Sequence, residues 1–198
     1  MQSSTVSVII PAYNEEAAIG NVLRELTRGG INEKNDNFEI IVINDGSSDH
    51  TADIVKEFSQ VRLINNRKNK GYGAAIKTGI RESRGDLIVW YDADGQHRPE
   101  DLFKLIDKME EEDLDYCIGI RGGDSYEDRN RRFGKKILKL FLNFVVKEEL
   151  KDFNSGMRGF KRNVIMPYLS LLPDAFGAST VTTLLMLEQE YYGGEVDI

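Results

Sequence analysis

A short apolar run closed by a polar turn and followed by an amphipathic stretch recurs through the first half of this 198-residue chain, and no other feature narrows its fold as much. Val6 to Ile10 reads as a strand closed by Pro11. The turn Asn14-Glu15-Glu16 then opens a helix whose Ile19, Val22, Leu23 and Leu26 fall at i, i+3, i+4 and i+7. Phe38 to Ile43 is a second strand, followed by the turn Asn44 to Asp49 and a helix carrying Ile54, Val55 and Phe58. Val61 to Ile64 is a third, followed by the basic loop Asn66 to Gly73 and a helix through Ala75, Ile76 and Ile80. Leu87 to Tyr91 is short and continuously apolar, which suits a strand covered on both faces. Pro99 then starts a helix with Leu102, Leu105, Ile106 and Met109 on one face. Strand and helix units on short connections predict an α/β fold, a single domain over residues 1–198 with a mostly parallel central sheet flanked by helices. Ligands of such a sheet bind beyond the carboxyl ends of its strands. Pro11 to Glu15, Asp45 to Asp49 and Asp92 to Gln96 should therefore share one rim.

From Tyr116 the pattern changes. Tyr116 to Arg121 reads as a strand, Gly122 to Asn130 as a polar loop, and Phe133 to Val146 as an amphipathic helix with a basic start. Asp152 to Phe160 is a compact polar and glycine segment, Val181 to Glu188 a helix, and Gly194 to Ile198 a strand. A hydrophobic content of 40% is enough for one substantial core in a chain of this length. The net charge of -7 argues against broad nucleic-acid affinity, although Lys and Arg concentrate between Arg129 and Lys139. The single cysteine, Cys117, sits in an apolar run and reads as a small core residue in a reducing compartment. Ile137 to Val146, the longest nearly unbroken apolar stretch, is about half the roughly 20 residues a membrane span needs, and the polar start of the chain resembles no signal or transit peptide.

The chemistry concentrates where the fourth strand stops. Two aspartates one residue apart, Asp92 and Asp94, can offer hard oxygen ligands to Mg²⁺ or Mn²⁺, whose shell phosphate oxygens would complete. By itself the pair reads equally as a turn ahead of the helix at Pro99. His97, beside Arg98, reads as a surface residue. An aromatic with flanking carboxylates, as in Pro11-Ala12-Tyr13-Asn14-Glu15 and Asp45 to Asp49, suits a nucleobase and ribose, the carboxylates accepting from base N–H and ribose hydroxyl groups. Gly71 and Gly73 ahead of a helix fit either backbone approach to a phosphate or close helix packing. Arginine's planar fork matches phosphate better than lysine's point charge, so Arg121 is the stronger phosphate candidate, and Lys68 and Lys70 read as solvated loop charges.

Val8 to Glu15, Val42 to Asp49, Asn69-Lys70-Gly71-Tyr72-Gly73 and Asp92-Ala93-Asp94-Gly95-Gln96 together resemble the inverting nucleotide-sugar glycosyltransferases of family 2, which have the A-type fold. Asp152 to Phe160 and the ending Gly194 to Ile198 are most similar to the polyprenyl-phosphate, dolichol-phosphate mannose synthase-like branch. The resemblance implies a nucleotide-sugar-binding half over 1–115 and an acceptor-binding half over 116–198. It implies that Pro11, Tyr13, Glu15, Asp45, Asn69, Gly71, Asp92 and Ala93 hold the nucleotide. Asp92 and Asp94 would manage Mg²⁺ or Mn²⁺, Asp94 as the direct ligand. Gln96 and Arg121 would join them in catalysis, and Arg121, Arg131, Lys135, Ser155 and Arg158 would meet the acceptor phosphate. Arg129 and Arg132 are close enough to Arg131 to be the true counterpart.

The implied donor is a nucleoside diphosphate sugar, GDP-mannose or a UDP-hexose, and the implied acceptor a polyprenyl or dolichyl phosphate met peripherally at the cytoplasmic face of a membrane. A phosphate monoester has a second pKa of about 6 and is largely ionised at neutral pH, so it needs basic residues and no general base. Arg129, Arg131, Arg132, Lys135 and Lys136 before an apolar-faced helix suit that need at a membrane surface, and equally suit an ordinary basic helix start. Where family members commonly carry an acidic residue near the last helix, this chain has Ser179-Thr180-Val181-Thr182, a departure that agrees with a phosphate acceptor. A saccharide or protein acceptor, a nucleotide-sugar-binding protein without turnover, and a nucleotidyltransferase are the other readings. The last usually carries a glycine-rich basic loop after its first strand, where this chain has Pro11 to Glu15.

Overall fold

The computed structural model describes residues 4–28, 37–120 and 155–198. Strands β1 (Val6–Ala12), β2 (Phe38–Asn44), β3 (Val61–Asn65), β4 (Leu87–Trp90), β5 (Tyr116–Ile120), β6 (Arg158–Lys161) and β7 (Gly193–Asp197) form one seven-stranded sheet in the order β3-β2-β1-β4-β6-β5-β7. The first four are mutually parallel, β7 is parallel to β5, and β6 runs antiparallel between β4 and β5. The helices are α1 (Ile19–Leu26), α2 (Thr51–Lys56), α3 (Tyr72–Glu82), α4 (Pro99–Glu111), α5 (Arg162–Ile165) and α6 (Ala178–Glu188).

The central strands β1 and β4 are buried throughout, as near-continuous apolar sequences require of a sheet covered on both faces, and the buried Ser7 hydroxyl donates to Glu39 and accepts from the Gly85 amide. Side chains alternate between two cores. Val8, Ile10 and Val89 pack with Ile19, Leu23 and Leu26 of α1 and with Leu102 and Leu105 of α4. On the other face, Ile9, Ile41, Ile88 and Trp90 pack with Ala75, Ile76 and Ile80 of α3 and with Val164, Leu172 and Met186. Gly79 lets α3 approach the sheet, because a Cβ there would lie 2.3 Å from Cγ2 of Ile9.

Pro11 does not close β1, as the sequence suggested; the strand continues to Ala12, with Pro11 opposite Ile43. Ile9 accepts from the Tyr91 amide, so Pro11, of the same parity, faces the β4 side just where that ladder ends, and its missing N–H deprives no partner. The register brings the carboxyl ends of β1, β2 and β4 to one rim. Because β6 is antiparallel, its first residue, Arg158, lies there opposite Trp90.

The last helix begins at Ala178, ahead of the expected Val181, after Gly177 in a left-handed conformation (φ 107°). Arg121, the loop expected at Gly122 to Asn130, the helix expected at Phe133 to Val146 with its basic start, and Asp152 lie outside the described residues.

Candidate functional site

The turns after β1 and β2 are stitched together along the rim. Asn14, at φ 56°, donates its amide to Ser47 Oγ (3.0 Å) and accepts from the Ser48 amide (2.8 Å). The Glu15 amide donates to Thr51 Oγ1 (2.8 Å), the Glu16 amide to Asp49 (3.1 Å), and the His50 amide to Glu16 (2.9 Å). The two motifs are thus one structure, with Ser47, Ser48 and Asp49 spent on holding it. Tyr13 projects from it with 48% of its surface exposed, free to stack on a ligand, while Pro11 and Ala12 are buried beneath.

Asp45 is buried, and its carboxylate accepts from Asn66 Nδ2 (2.7 Å) and from the amides of Lys70 (3.0 Å) and Gly71 (2.8 Å). It anchors the loop that carries exposed Asn69 against the rim. A Cβ on Gly73 would fall 2.0 Å from the Pro173 carbonyl oxygen, and one on Gly71 2.5 Å from that of Asp174. Both glycines therefore serve close packing, and the Gly71 amide is already given to Asp45.

Past β4, Asp92 is half-buried and Asp94 exposed. Tyr72, the first residue of α3, donates its hydroxyl to Asp92 Oδ1 at 3.0 Å. His97 Nε2 stands 3.7 Å from Asp92 Oδ2, and a Cβ on Gly156 would lie 1.7 Å from that same oxygen. Asp94 accepts the amide of exposed Gln96 (3.0 Å), a local turn that leaves its carboxylate facing outward. His97 corrects the sequence reading: it is buried, at 4% exposure, because the turn at Gly95 (φ 77°) folds it inward. There its carbonyl accepts the Tyr91 hydroxyl (2.7 Å) and its ring meets the Tyr91 ring edge-on.

Burial first, and then the charges of Asp94, Asp49 and Asp92, raise the Glu15 carboxyl above its ordinary value. Burial, and then the Asp92 charge, hold the Tyr72 phenol well above its own, so the donor to Asp92 stays protonated. Negative charge gathered on outward-facing oxygens at a sheet rim fits a divalent cation of the Mg²⁺ or Mn²⁺ class. Among the described residues no three His, Cys, Asp or Glu side chains converge closely enough to form a complete protein cage. Asp94 and Asp92 could hold an ion whose remaining sites are filled by water and a diphosphate, the usual arrangement for Mg²⁺.

Ser155 and Arg158 are fully buried. The Arg158 guanidinium donates to the Ser155 carbonyl (2.7 Å), the Ser179 carbonyl (2.6 Å) and the hydroxyls of Thr182 and Thr183 (3.1 Å each), and lies over the Trp90 ring. It thereby ties β6 to the first turns of α6, and Ser179 and Thr182 find their use as its acceptors. Arg121, Arg131 and Lys135 lie outside the described residues. Tyr72 and Gly156 stand within the motifs Asn69 to Gly73 and Asp152 to Phe160, but the sequence pattern assigns neither a role, and Phe176, which stacks on Tyr72, carries no signal in the sequence.

The family model for glycosyl transferase family 2 matches residues 7–169. A Methanococcus voltae protein named UDP-N-acetylglucosamine–dolichyl-phosphate N-acetylglucosaminyltransferase is 34% identical over 189 residues, covering 83% of this chain and 72% of the relative. An undecaprenyl-phosphate 4-deoxy-4-formamido-L-arabinose transferase of Pseudomonas fluorescens is 28% identical, covering 95% of this chain and 59% of its own length. The crystal structure of glucosyl-3-phosphoglycerate synthase from Mycobacterium tuberculosis, with Mn²⁺, UDP and phosphoglyceric acid, superposes with a TM-score of 0.77 at 21% identity over 98% of this chain and 68% of that one. At that identity the likeness is one of fold.

Proposed function

The chain belongs to glycosyl transferase family 2, and on that premise we propose that it transfers a sugar from a nucleoside diphosphate sugar to a polyprenyl phosphate, with Mg²⁺ or Mn²⁺, while in peripheral contact with the cytoplasmic face of a membrane. The observation that carries this reading is the convergence on one rim of Tyr13, Glu15 and the Asp92-Ala93-Asp94 turn. Relatives named for dolichyl and undecaprenyl phosphate acceptors support the acceptor class. No helix among the described residues is long and apolar enough to cross a membrane.

In this reading Tyr13 stacks on the nucleobase, and Glu15 accepts from the nucleoside. The loop that Asp45 anchors presents Asn69 and walls the nucleotide side. Negative charge develops on the departing diphosphate, and a cation held by Asp94 and Asp92 supplies its neutralisation when bound. Gln96, whose amide donates to Asp94, is proposed to stand beside the transferred sugar or the acceptor phosphate. The acceptor oxygen is already ionised, so no side chain has to take a proton from it. Arg121, Arg131 and Lys135 orient the acceptor phosphate, and Arg158 acts from beneath by fixing Ser155 and the start of α6.

Thermal-shift measurements with UDP and GDP, with and without Mn²⁺, test the donor side. Stabilisation by one nucleotide that depends on Mn²⁺ supports the reading, with GDP pointing to mannose and UDP to glucose or a related sugar. No stabilisation by either contradicts it.

A further inference from the structure

Tyr72 stands between two parts of the molecule that the chain keeps far apart. Its hydroxyl is on Asp92 Oδ1, and its ring is stacked parallel to that of Phe176, with centroids 6.5 Å apart and planes within 8°. Phe176 is 90% exposed, as single apolar side chains at a surface often are; what sets it apart is its parallel setting beside the Tyr72 ring. It rides on a short strap, residues 172–177, fastened to the first turns of α3. The Ala74 amide donates to the Asp174 carbonyl (2.9 Å), Lys77 Nζ donates to the Leu172 carbonyl (2.9 Å), and Lys77 also pairs with the Asp174 carboxylate. Gly71 and Gly73 are pressed against the same strap through the close approaches already described. The strap is therefore fastened to α3, and through Phe176 it reaches the ring that holds Asp92.

Asp92 is thus held from separate directions: Tyr72 fixes Oδ1, while Gly156 and His97 bound the space around Oδ2. A carboxylate that can rotate freely offers a diphosphate-bound cation two equivalent oxygens in changing positions. One whose Oδ1 already accepts a phenol hydrogen offers a defined orientation, which lowers the ordering cost of binding. We propose that Tyr72 is a positioning residue for the donor complex, orienting the Asp92 carboxylate, and that Phe176 keeps the Tyr72 ring in the plane from which it does so. This rests on the donor-site reading given above.

The test measures binding of UDP and GDP in the presence of Mn²⁺ by isothermal titration calorimetry, for the wild type, Tyr72→Phe and Phe176→Ala, with the matching nucleoside as a control. Tyr72→Phe keeps the ring and its stack and removes only the hydroxyl. It should weaken the preferred diphosphate about tenfold, the range of one hydrogen bond to a charged group, and leave the nucleoside control unchanged. Phe176→Ala removes an exposed side chain and should weaken the same complex about two- to threefold. Equal affinity in Tyr72→Phe and wild type overturns the proposal, as does an equal loss for nucleoside and diphosphate, which marks a general structural defect. If Tyr72→Phe fails to fold, Phe176→Ala decides: weakened diphosphate binding supports the assignment and unchanged binding overturns it. Absence of binding by the wild type is a separate result, which removes the donor-site reading and the proposal with it.

Discussion

Gly156 lies so close to Asp92 that a Cβ on it would be 1.7 Å from the carboxylate oxygen Oδ2. The segment leading into β6 has been folded directly onto the aspartate that ends β4, and only hydrogen at position 156 permits it.

Gly156→Ala must therefore move either the backbone at 156 or the Asp92 side chain. A displaced Asp92 loses the Tyr72 hydrogen bond, so transfer activity should fall about tenfold or more, while overpacking costs about 1–3 kcal/mol of stability. Steady-state kinetics alongside urea denaturation separates the two. Full activity in a folded variant would show that the position of Asp92 is immaterial.

Asp94 is exposed, so Asp94→Ala should change stability by less than about 0.5 kcal/mol. Its expected effect is on the cation: Mn²⁺ should no longer strengthen nucleoside diphosphate binding. Titration of the nucleotide at several Mn²⁺ concentrations reads this directly, and retained Mn²⁺ dependence would assign the metal elsewhere.

Asp45→Ala should act mainly on the fold. It strips the acceptor from Asn66 Nδ2 and from the amides of Lys70 and Gly71; a buried donor left unpaired costs about 1–3 kcal/mol, and these part-buried ones cost less because water reaches them. A loss of about 1–3 kcal/mol in urea denaturation is expected, with faster hydrogen exchange at the Lys70 and Gly71 amides.

Glu15 carries a pH prediction. Its carboxyl is raised in the folded protein by burial and by Asp94, Asp49 and Asp92, so the protonated form favours the fold. That contribution is present below the ordinary carboxylate range and is lost as pH rises through the raised value. Glu15→Gln should therefore match wild type in thermal midpoint at acid pH and exceed it at neutral pH. Mn²⁺ should narrow the gap by offsetting the aspartate charges, and the variant should bind nucleotide more weakly. A gap that does not grow with pH would show that neither burial nor the aspartates raise the Glu15 carboxyl.

The first four strands and the helices between them were legible because each carries its own pattern: a nearly continuous apolar run from Val6, an unbroken one from Leu87, and the 3.6-residue period from Ile19 to Leu26. The rim was legible too, since parallel strands send their carboxyl ends to one side. What was not legible depends on partners distant in sequence. The antiparallel placement of β6 rests on a four-residue strand, Arg158-Gly159-Phe160-Lys161, too short to declare its neighbours. His97 read as a surface residue because its burial comes from the Gly95 turn and the Tyr91 hydroxyl. Asp45 reads as a nucleotide ligand, and nothing in its motif shows that its oxygens also accept from loop amides 25 and 26 residues away. Tyr72 and Asp92 meet across 20 residues for the same reason.

Transfer itself remains the most direct measurement. The full-length protein is incubated with labelled GDP-mannose or UDP-hexose, a polyprenyl phosphate in vesicles and Mn²⁺, and the products are partitioned between organic solvent and water. An organic-soluble, acid-labile labelled product, dependent on Mn²⁺ and lost in Asp94→Ala, is the predicted result. Label transferred only to a water-soluble acceptor, with none in the lipid phase, would contradict it.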